Sequence, residues 1–221
     1  MSEASPAFYS KHRLGKANRT SNQPTTRHHY LASLIKRKKM EDYLIRHCSP
    51  TLASIKTANL FSYAFRNRYK FIECLQRISQ TLNKKGVYVE PLRIRDGRAL
   101  IWVYRKSQLE QRLQETEISQ FLATYGYKTK ELTDVIVRLR ERVIASEDFP
   151  HEIGILLGYP LPDIVAFIKN GGKNSKCTGC WKVYTDECEA MRLFDMYEKC
   201  TSIYVKLFAK GKSVTQLTVA A

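Results

Sequence analysis

The feature that most constrains the fold is a pair of apolar runs separated by an Asp-Gly dipeptide. The runs VYVEPLRI (87–94) and RALIWVY (98–104) are rich in β-branched and aromatic residues, and Asp96-Gly97 lies between them. Asp-Gly readily takes the positive φ angles of a tight hairpin turn, so residues 87–104 are predicted to form an antiparallel pair of strands. This hairpin favours an α+β fold over a doubly wound parallel sheet.

Helical patterns flank the hairpin on both sides. In residues 67–85 the apolar positions recur at i, i+3, i+4, i+7 and i+11, and Gly86 then provides a stop. Similar patterns predict helices near residues 31–47, 107–126, 132–143, 150–157, 160–170 and 186–211. The segments WKVY (181–184) and SVTQLTVA (213–220) are further strand candidates. We therefore predict an α+β fold in which several amphipathic helices pack on a small, largely antiparallel sheet of about four strands.

Short local signals refine the helix boundaries. Ser49-Pro50 is predicted to end the helix near residues 31–47, and Pro50 suits the first turn of a short helix that follows. Ser107 with Glu110, and Asp186 with Glu189, have the spacing of capping boxes, which predicts a helix start at each place.

Residues 1–30 differ from the rest of the chain in composition. They are rich in Ser, Asn, Thr, Pro and basic side chains, so they bury too little apolar surface to offset chain entropy. We predict a flexible basic tail, 1–30, followed by a single α+β domain, 31–221.

Neither an apolar run of bilayer length nor a secretory signal occurs, which predicts a cytoplasmic protein without a membrane partner.

The charge of the chain is strongly positive. The net charge is +16, an excess that favours polyanionic partners such as nucleic acid. The basic tail, the cluster Lys36–Lys39 and the basic-aromatic stretch FRNRYKF (65–71) are the segments that such a partner would contact. The sequence contains neither a zinc finger nor an RNP-type motif, and charge runs are also typical of solvated helix faces.

The six cysteines of a chain without an export signal are predicted to be free thiols or ligands rather than a disulfide framework. Cys177 and Cys180 have C-x-x-C spacing, which suits one metal ion or a redox dithiol in a turn made by Gly179. A zinc site of this kind commonly has a second such pair, and the sequence contains none. The alternative is that both are small residues without special chemistry.

Two other segments contain residues that are able to bind a ligand. His47-Cys48 pairs a base or ligand with a nucleophile, although adjacent residues on a helix point in different directions, which favours a structural role. The loop NGGKNSK (170–176) combines paired glycines with lysines, so backbone amides and Lys173 could hold a phosphate or a carboxylate. It lacks the Walker spacing, and a solvated turn at a helix end is the alternative.

His151-Glu152 lacks the second histidine of the metalloprotease signature.

Several separated blocks of the chain resemble one family. The blocks are residues 47–61, 85–105 and 149–184 and the closing LTVA, and in this order they are similar to domain-of-unknown-function family 3793. The family is an uncharacterised bacterial one, found mostly in anaerobic Gram-positive bacteria. The resemblance implies a small cytoplasmic protein without an assigned activity, and it supplies no catalytic residues. In the family pattern an aromatic residue is common at the position of Cys180, which does not favour an obligatory metal pair.

The leading hypothesis is a cytosolic ligand-binding or redox-accessory protein linked to iron or redox metabolism. Its site would form where residues 47–59 meet residues 173–184, around a metal, haem, flavin or anionic small molecule. The metal candidates are Cys177 and Cys180. A basic nucleic-acid-associated protein and an enzyme of unknown reaction are the alternatives. The candidate ligand-binding residues are His47, Cys48, Lys56, Asn59, Lys173, Asn174, Cys177, Trp181, Lys182 and Tyr184.

Overall fold

A three-stranded antiparallel sheet forms the centre of the molecule. The computed structural model describes residues 40–145 and 149–220. Strands β1 (Ala58–Ala64), β2 (Val87–Arg95) and β3 (Arg98–Arg105) lie in the order β1-β3-β2. Both neighbours of β3 run antiparallel to it. The α+β class predicted from the sequence is confirmed.

The hairpin between β2 and β3 is the one predicted from the Asp-Gly dipeptide. Asp96 and Gly97 have φ angles of 50° and 70°, as the favoured two-residue hairpin turn requires. Gly97 also lies close to a neighbouring segment, because an added Cβ would be 3.1 Å from the carbonyl oxygen of Phe65. A larger residue here would therefore be both strained and crowded.

Strand β1 was missed by the sequence analysis. Its sequence, ANLFSYA, pairs along its whole length with β3, from Ala58 opposite Tyr104 to Ala64 opposite Arg98. The pattern is hard to recognise because helices cover both faces of the sheet, so residues on both sides of the strand are at least partly buried. Only the pairing with a distant strand identifies it.

Helices surround the sheet at most of the predicted places. A second, two-stranded antiparallel sheet pairs β4 (Cys177–Thr178) with β5 (Lys182–Val183). The helices of the described residues are α1 (residues 40–52), α2 (Arg68–Asn83), α3 (Lys106–Gln114), α4 (Thr116–Ala123), α5 (Leu132–Ala145), α6 (Ile153–Leu156), α7 (Leu161–Lys169), α8 (Glu187–Ala209) and α9 (Val214–Leu217).

Two hydrophobic cores lie on opposite faces of the central sheet. Successive residues of β3 alternate between them, because Ile101 and Val103 belong to one core and Trp102 and Tyr104 to the other. Side chains of α1, α2, α9 and the C-terminal half of α8 cover the first face. Side chains of α3 to α7 and the N-terminal half of α8 cover the second. The sheet is thus enclosed between two layers of helices.

The predicted boundary at Ser49-Pro50 was wrong. Helix α1 continues through both residues to residue 52, and the Ser49 hydroxyl donates a hydrogen bond to the carbonyl of Ile45. Pro50 is tolerated in the last turn because both it and Leu52 are buried, so packing holds the helical conformation. The predicted start of this helix at residue 31 and the predicted tail lie outside the described residues.

Two further local predictions were also wrong. Helix α3 begins one residue before Ser107, and its cap residue Arg105 makes no side-chain cap hydrogen bond, so no capping box forms there. The segment 213–220 forms α9 rather than a strand, because Ser213 and Gln216 make a reciprocal capping box. At the start of α8, half of the predicted capping box forms: the Asp186 carboxylate accepts from the backbone N–H of Glu189 at 2.9 Å, whereas the Glu189 carboxylate accepts from the Arg192 guanidinium.

A fully buried arginine joins three segments at one end of β3. The Arg105 guanidinium donates to the carbonyls of Thr51 and Leu52 at 2.7 and 2.6 Å, and to the carbonyl of Val219 at 2.8 Å. The backbone N–H of Val219 in turn donates to the carbonyl of Leu52 at 3.0 Å. Burial lowers the pKa of Arg105. This side chain therefore ties the end of α1 and the C-terminal segment to the sheet.

None of the helices in residues 40–145 and 149–220 combines the length with the apolar composition that crossing a bilayer requires.

Candidate functional site

The β4–β5 hairpin packs against α8 through a glycine that no other residue could replace. A Cβ added at Gly179 would lie 2.3 Å from ring carbons of Phe194 on α8. The backbone N–H of Gly179 donates to the carbonyl of Trp181 at 3.0 Å, which closes the turn between the two strands. The turn between Cys177 and Cys180 is thus set by close packing on a helix as well as by its own hydrogen bond.

A buried carboxylate holds the other side of this hairpin. Asp163, in the first turn of α7, accepts a hydrogen bond from the Trp181 indole N–H at 2.8 Å. It also accepts from the backbone N–H groups of Tyr184 and Thr185, both at 2.9 Å, and from the Thr185 hydroxyl at 2.8 Å. Four donors therefore replace the water that a buried carboxylate loses. Asp163 fixes both the orientation of the indole ring and the path of the chain after β5.

A cleft opens between this hairpin and helices α6 and α7. It encloses about 460 Å³ of space, counting the part open to solvent. Its walls are mainly aromatic and aliphatic, with a small number of polar groups, which is typical of small-molecule sites. The lining residues are Phe149, His151, Ile153, Gly154, Tyr159, Asp163, Ile164, Phe167, Cys180, Trp181 and Lys182.

The aromatic rings of the cleft contact one another in pairs. Trp181 is stacked on Tyr159 with ring centroids 5.0 Å apart, and His151 meets Phe167 edge-on at 4.9 Å. Gly154 lies at the base, where an added Cβ would be 2.2 Å from the side chain of Ile164. The rings therefore pack against one another, and the close approach at Gly154 holds α6 and α7 together.

Next to the cleft, a buried lysine lies behind Cys180. The Lys56 ammonium donates to the carbonyl of Ala58 and lies 5.1 Å from the centroid of the Tyr159 ring, a cation–π distance. Burial lowers the pKa of Lys56 to about 8, and the nearby Cys180 and Cys48 sulfurs act in the opposite direction. At neutral pH this side chain therefore carries a positive charge beside the cleft.

We expect the substitution Lys56→Met to remove the part of the free energy of unfolding that changes with pH because this lysine titrates. The folded-state pKa of Lys56 is about 8 and its ordinary value is 10.5. Between these pH values the unfolded chain binds more protons, so the wild type gains stability relative to the variant as the pH rises. The relative gain is about 3 kcal/mol across the window, at about 1.4 kcal/mol per pKa unit. Urea unfolding near pH 7, 8.5 and 10 measures it.

The control for this experiment uses the surroundings of the lysine. Cys48, Cys180 and Tyr159 face Lys56, and burial raises the pKa of each, so both chains lose stability in alkali through these groups. The difference between the two chains removes the part of this loss that does not depend on the Lys56 charge. Lys210→Met, at the exposed end of α8, is the matched control. A wild type and a Lys56→Met variant that differ by the same amount at every pH would contradict the prediction.

Of the predicted residues, the hairpin supplies Trp181, Lys182 and Cys180 to the cleft. Cys180 has a solvent-exposed side, and desolvation on its other side raises the pKa of its thiol, whereas the Lys56 charge lowers it. The Lys182 ammonium donates to the carbonyl of Gly172 at 2.5 Å. Residues 47–59 and 173–184 thus approach each other as expected, but through Lys56 and Cys180.

The predicted residues His47 and Cys48 lie against the other core. The exposed His47 ring stacks on Phe61 with centroids 5.6 Å apart and lies 5.5 Å from the Tyr43 ring. Desolvation, followed by the charge of Arg46, lowers the pKa of His47. Cys48 is fully buried, and burial raises the pKa of its thiol far above the neutral range. These contacts account for both residues structurally.

The remaining predicted residues are not part of the lining of the cleft. The Asn59 side-chain oxygen accepts from the Thr51 hydroxyl at 2.7 Å and so joins β1 to α1. Lys173 and Asn174 are exposed in the turn after α7, where Asn174 has a φ of 59°. Tyr184 has a buried hydroxyl, and burial raises its pKa. None of the four contributes to the lining of the cleft.

The thiols of the predicted metal pair, Cys177 and Cys180, have different surroundings. Desolvation, and then the charge and hydrogen bond of the Glu187 carboxylate, raise the pKa of Cys177. Cys180 is oriented towards Lys56 instead. Within residues 40–145 and 149–220, no three His, Cys, Asp or Glu side chains are grouped so that they could hold a metal ion. A site at Cys177 and Cys180 would need a third ligand that these residues do not supply.

Sequence reasoning missed Asp163 and undervalued His151. The signal for Asp163 was available, because it is the one acid within the apolar helix LPDIVAFI, where an ionised side chain needs buried partners. His151 was weighed and set aside with Glu152. The two residues have different surroundings in the structure. Glu152 is buried and bonded to Arg142 at 2.8 Å, whereas His151 lines the cleft.

These features define an α+β protein in which helices enclose an antiparallel sheet and an aromatic cleft lies beside a small second hairpin. The chain belongs to the family described as protein of unknown function DUF3793, whose model matches residues 44–218. The resemblance seen in the sequence is thereby confirmed. No curated protein and no solved structure matches the chain.

Proposed function

We propose that this protein binds a small aromatic anion in the cleft between α6, α7 and the β4–β5 hairpin. The observation that supports this most is the composition of the lining, in which aromatic rings form the walls and only a small number of polar groups reach the surface. Flat ring compounds stack well on such walls. The cleft is partly open to solvent, so a flat ring compound can reach these walls from outside.

The charges around the cleft favour an anion. Lys182 is in the lining, and Lys56 lies just behind Cys180 with a pKa of about 8. The one carboxylate of the lining, Asp163, already accepts four hydrogen bonds from the hairpin. Lys182 and the buried Lys56 carry two positive charges against the one negative charge of Asp163, so the balance favours a ligand carboxylate, sulfonate or phosphate, which would contact the Lys182 ammonium.

A redox or iron-linked role stays a prediction within this proposal. Cys180 is the thiol that such a role would use, because it is exposed and lines the cleft. Of the ligands predicted from the sequence, an anionic small molecule fits the charges around the cleft best. Whether the bound compound is transformed is a separate question, and the proposal requires binding alone.

The test uses 1-anilinonaphthalene-8-sulfonate, an aromatic anion whose fluorescence rises on binding. We expect saturable binding at one site by the folded wild type. Lys182→Met should weaken the affinity about tenfold, which corresponds to about 1.4 kcal/mol, because one ammonium contact is lost. Cys180→Phe should reduce binding further, since a ring at this exposed position of the lining fills the cleft.

Lys176→Met is the matched control. Lys176 belongs to the same hairpin and its ammonium also donates to a backbone carbonyl, that of Thr185 at 2.6 Å, but it is not part of the lining. This variant should bind the dye like the wild type. Equal affinities of the wild type, Lys182→Met and Cys180→Phe would sink the proposal, as would dye binding that appears only when the protein begins to unfold.

A further inference from the structure

The end of the central sheet that carries the β2–β3 turn presents exposed basic side chains around an exposed aromatic ring. These residues belong to three segments, namely the loop after β1, the start of α2 and the hairpin ends. We call them the tip surface, which consists of Arg66, Arg68, Tyr69, Lys70, Arg95 and Arg98.

Backbone contacts bring the segments of the tip surface together. Arg98 is directly opposite both Ala64 and Arg95 in the sheet. The backbone N–H of Phe65 donates to the carbonyl of Gly97 at 2.7 Å, which holds the chain entering α2 against the hairpin turn. Residues distant in sequence therefore form one exposed end of the molecule.

The tip surface holds five cations and is close to two acids. Asp96 pairs with Arg95 at 3.2 Å, and this is the one ion pair that these five cations form among the residues the structure describes. Glu73 follows Tyr69 by one turn of α2 and is exposed. An ion pair between highly exposed groups is weak, so Arg95 can exchange Asp96 for another anion at little cost. The surface is thus positive and open to polyanions.

Tyr69 is in the first turn of α2, and its neighbours in the chain are Arg68 and Lys70. Its side chain is 87% exposed, which makes it the most exposed large apolar residue of the described chain. Phe65 and Phe71, which are close to it in the chain, pack against each other instead, with ring centroids 4.5 Å apart. Tyr69 is thus the ring of this segment that a partner can reach.

We propose that the tip surface binds single-stranded nucleic acid, with a base stacked on Tyr69 and the flanking arginines and Lys70 contacting phosphates. An aromatic ring within a basic surface is the pattern by which proteins bind single strands, because an unpaired base has a free face for stacking. In a duplex the base faces are covered by their neighbours. The proposal does not depend on Lys36–Lys39 or the basic tail, whose predicted role in binding lies outside the described residues.

The test is a fluorescence anisotropy titration of the full chain with a labelled single-stranded oligonucleotide of about 20 residues, at salt concentrations from about 50 to about 200 mM. Tyr69→Ala should weaken binding about tenfold or more and leave the salt dependence unchanged, because stacking releases no counterions. Tyr69→Trp should restore binding. The double variant Arg66→Gln, Arg98→Gln should lower the slope of log affinity against log salt by about 1.4, at about 0.7 per lost phosphate contact.

The double variant Lys199→Gln, Lys206→Gln is the control, because it removes two exposed charges from α8. Tyr204 of α8 lies near Arg105, which is at the opposite end of β3 from Arg98. This control should bind like the wild type. If the variants of the tip surface bind like the wild type, any affinity for the oligonucleotide resides in other basic segments, and the proposal is overturned. A duplex or polyglutamate bound as tightly as the single strand, or absence of binding at about 50 mM salt, would also overturn it.

Discussion

The variant Arg105→Ala is expected to lower the free energy of unfolding by about 4 to 5 kcal/mol, a large part of the stability of a domain this size. Arg105 is 1% exposed and donates three hydrogen bonds to the carbonyls of Thr51, Leu52 and Val219. Removing it leaves those carbonyls without a charged donor and opens a cavity at the end of α1. Urea unfolding followed by circular dichroism measures the loss.

Two comparisons separate the causes of this loss. Arg105→Met fills most of the same volume and removes the desolvated charge, so it should cost less, about 2 to 3 kcal/mol, from the lost hydrogen bonds. Arg98→Ala, at the exposed opposite end of the same strand, should change the stability by less than about 0.5 kcal/mol. An Arg105→Ala chain as stable as the Arg98→Ala chain would show that Arg105 does not hold the three segments together.

The second large effect is expected for Asp163→Asn, which should cost about 3 kcal/mol of unfolding free energy. The carboxylate accepts four hydrogen bonds, one of them from the Trp181 indole at 2.8 Å. An amide of the same shape turns an N–H group towards at least one of these donors, which leaves buried donors unpaired. Because the indole and the residues after β5 lose their anchor, binding of the naphthalene dye should also weaken.

Asp195→Asn is the matched control, since Asp195 is exposed on α8 and is not part of the hydrogen-bond set of the hairpin. It should keep both the stability and the dye affinity of the wild type. Near-ultraviolet circular dichroism of the tryptophans reports on the orientation of Trp181 directly. If Asp163→Asn keeps this spectrum and unfolds at the wild-type urea concentration, the carboxylate does not position the hairpin.

Local signals in the sequence were sufficient for most of the secondary structure. The Asp96-Gly97 turn and the 3.6-residue periodicity of α2 and α5 depend on neighbours within a few residues, so they could be predicted without the fold. The membership in the DUF3793 family also followed from blocks of sequence. The predicted strand at 213–220 was wrong because a capping box and burial of Leu217 outweighed β-branched composition.

The candidate site required information that local signals do not contain. Cys180 was predicted as half of a metal pair with Cys177, which is close in sequence, yet it faces Lys56, which is distant in sequence. His47 lies instead against the core on the other face of the sheet from the cleft, and Cys48 belongs to that core, with Lys56 as its charged neighbour. Which face a helix covers depends on long-range pairing, in particular on the unpredicted strand β1.

The Asp-Gly hairpin illustrates the division between sequence and tertiary structure. By itself the sequence determined that residues 87–104 form two paired strands, because turn geometry and β-propensity are local properties. Only the tertiary structure decided that β3 becomes the central strand and that Arg105 at its end binds carbonyls from α1 and the C-terminal segment. Such contacts follow from the burial of two cores at once, and burial is a property of the whole chain.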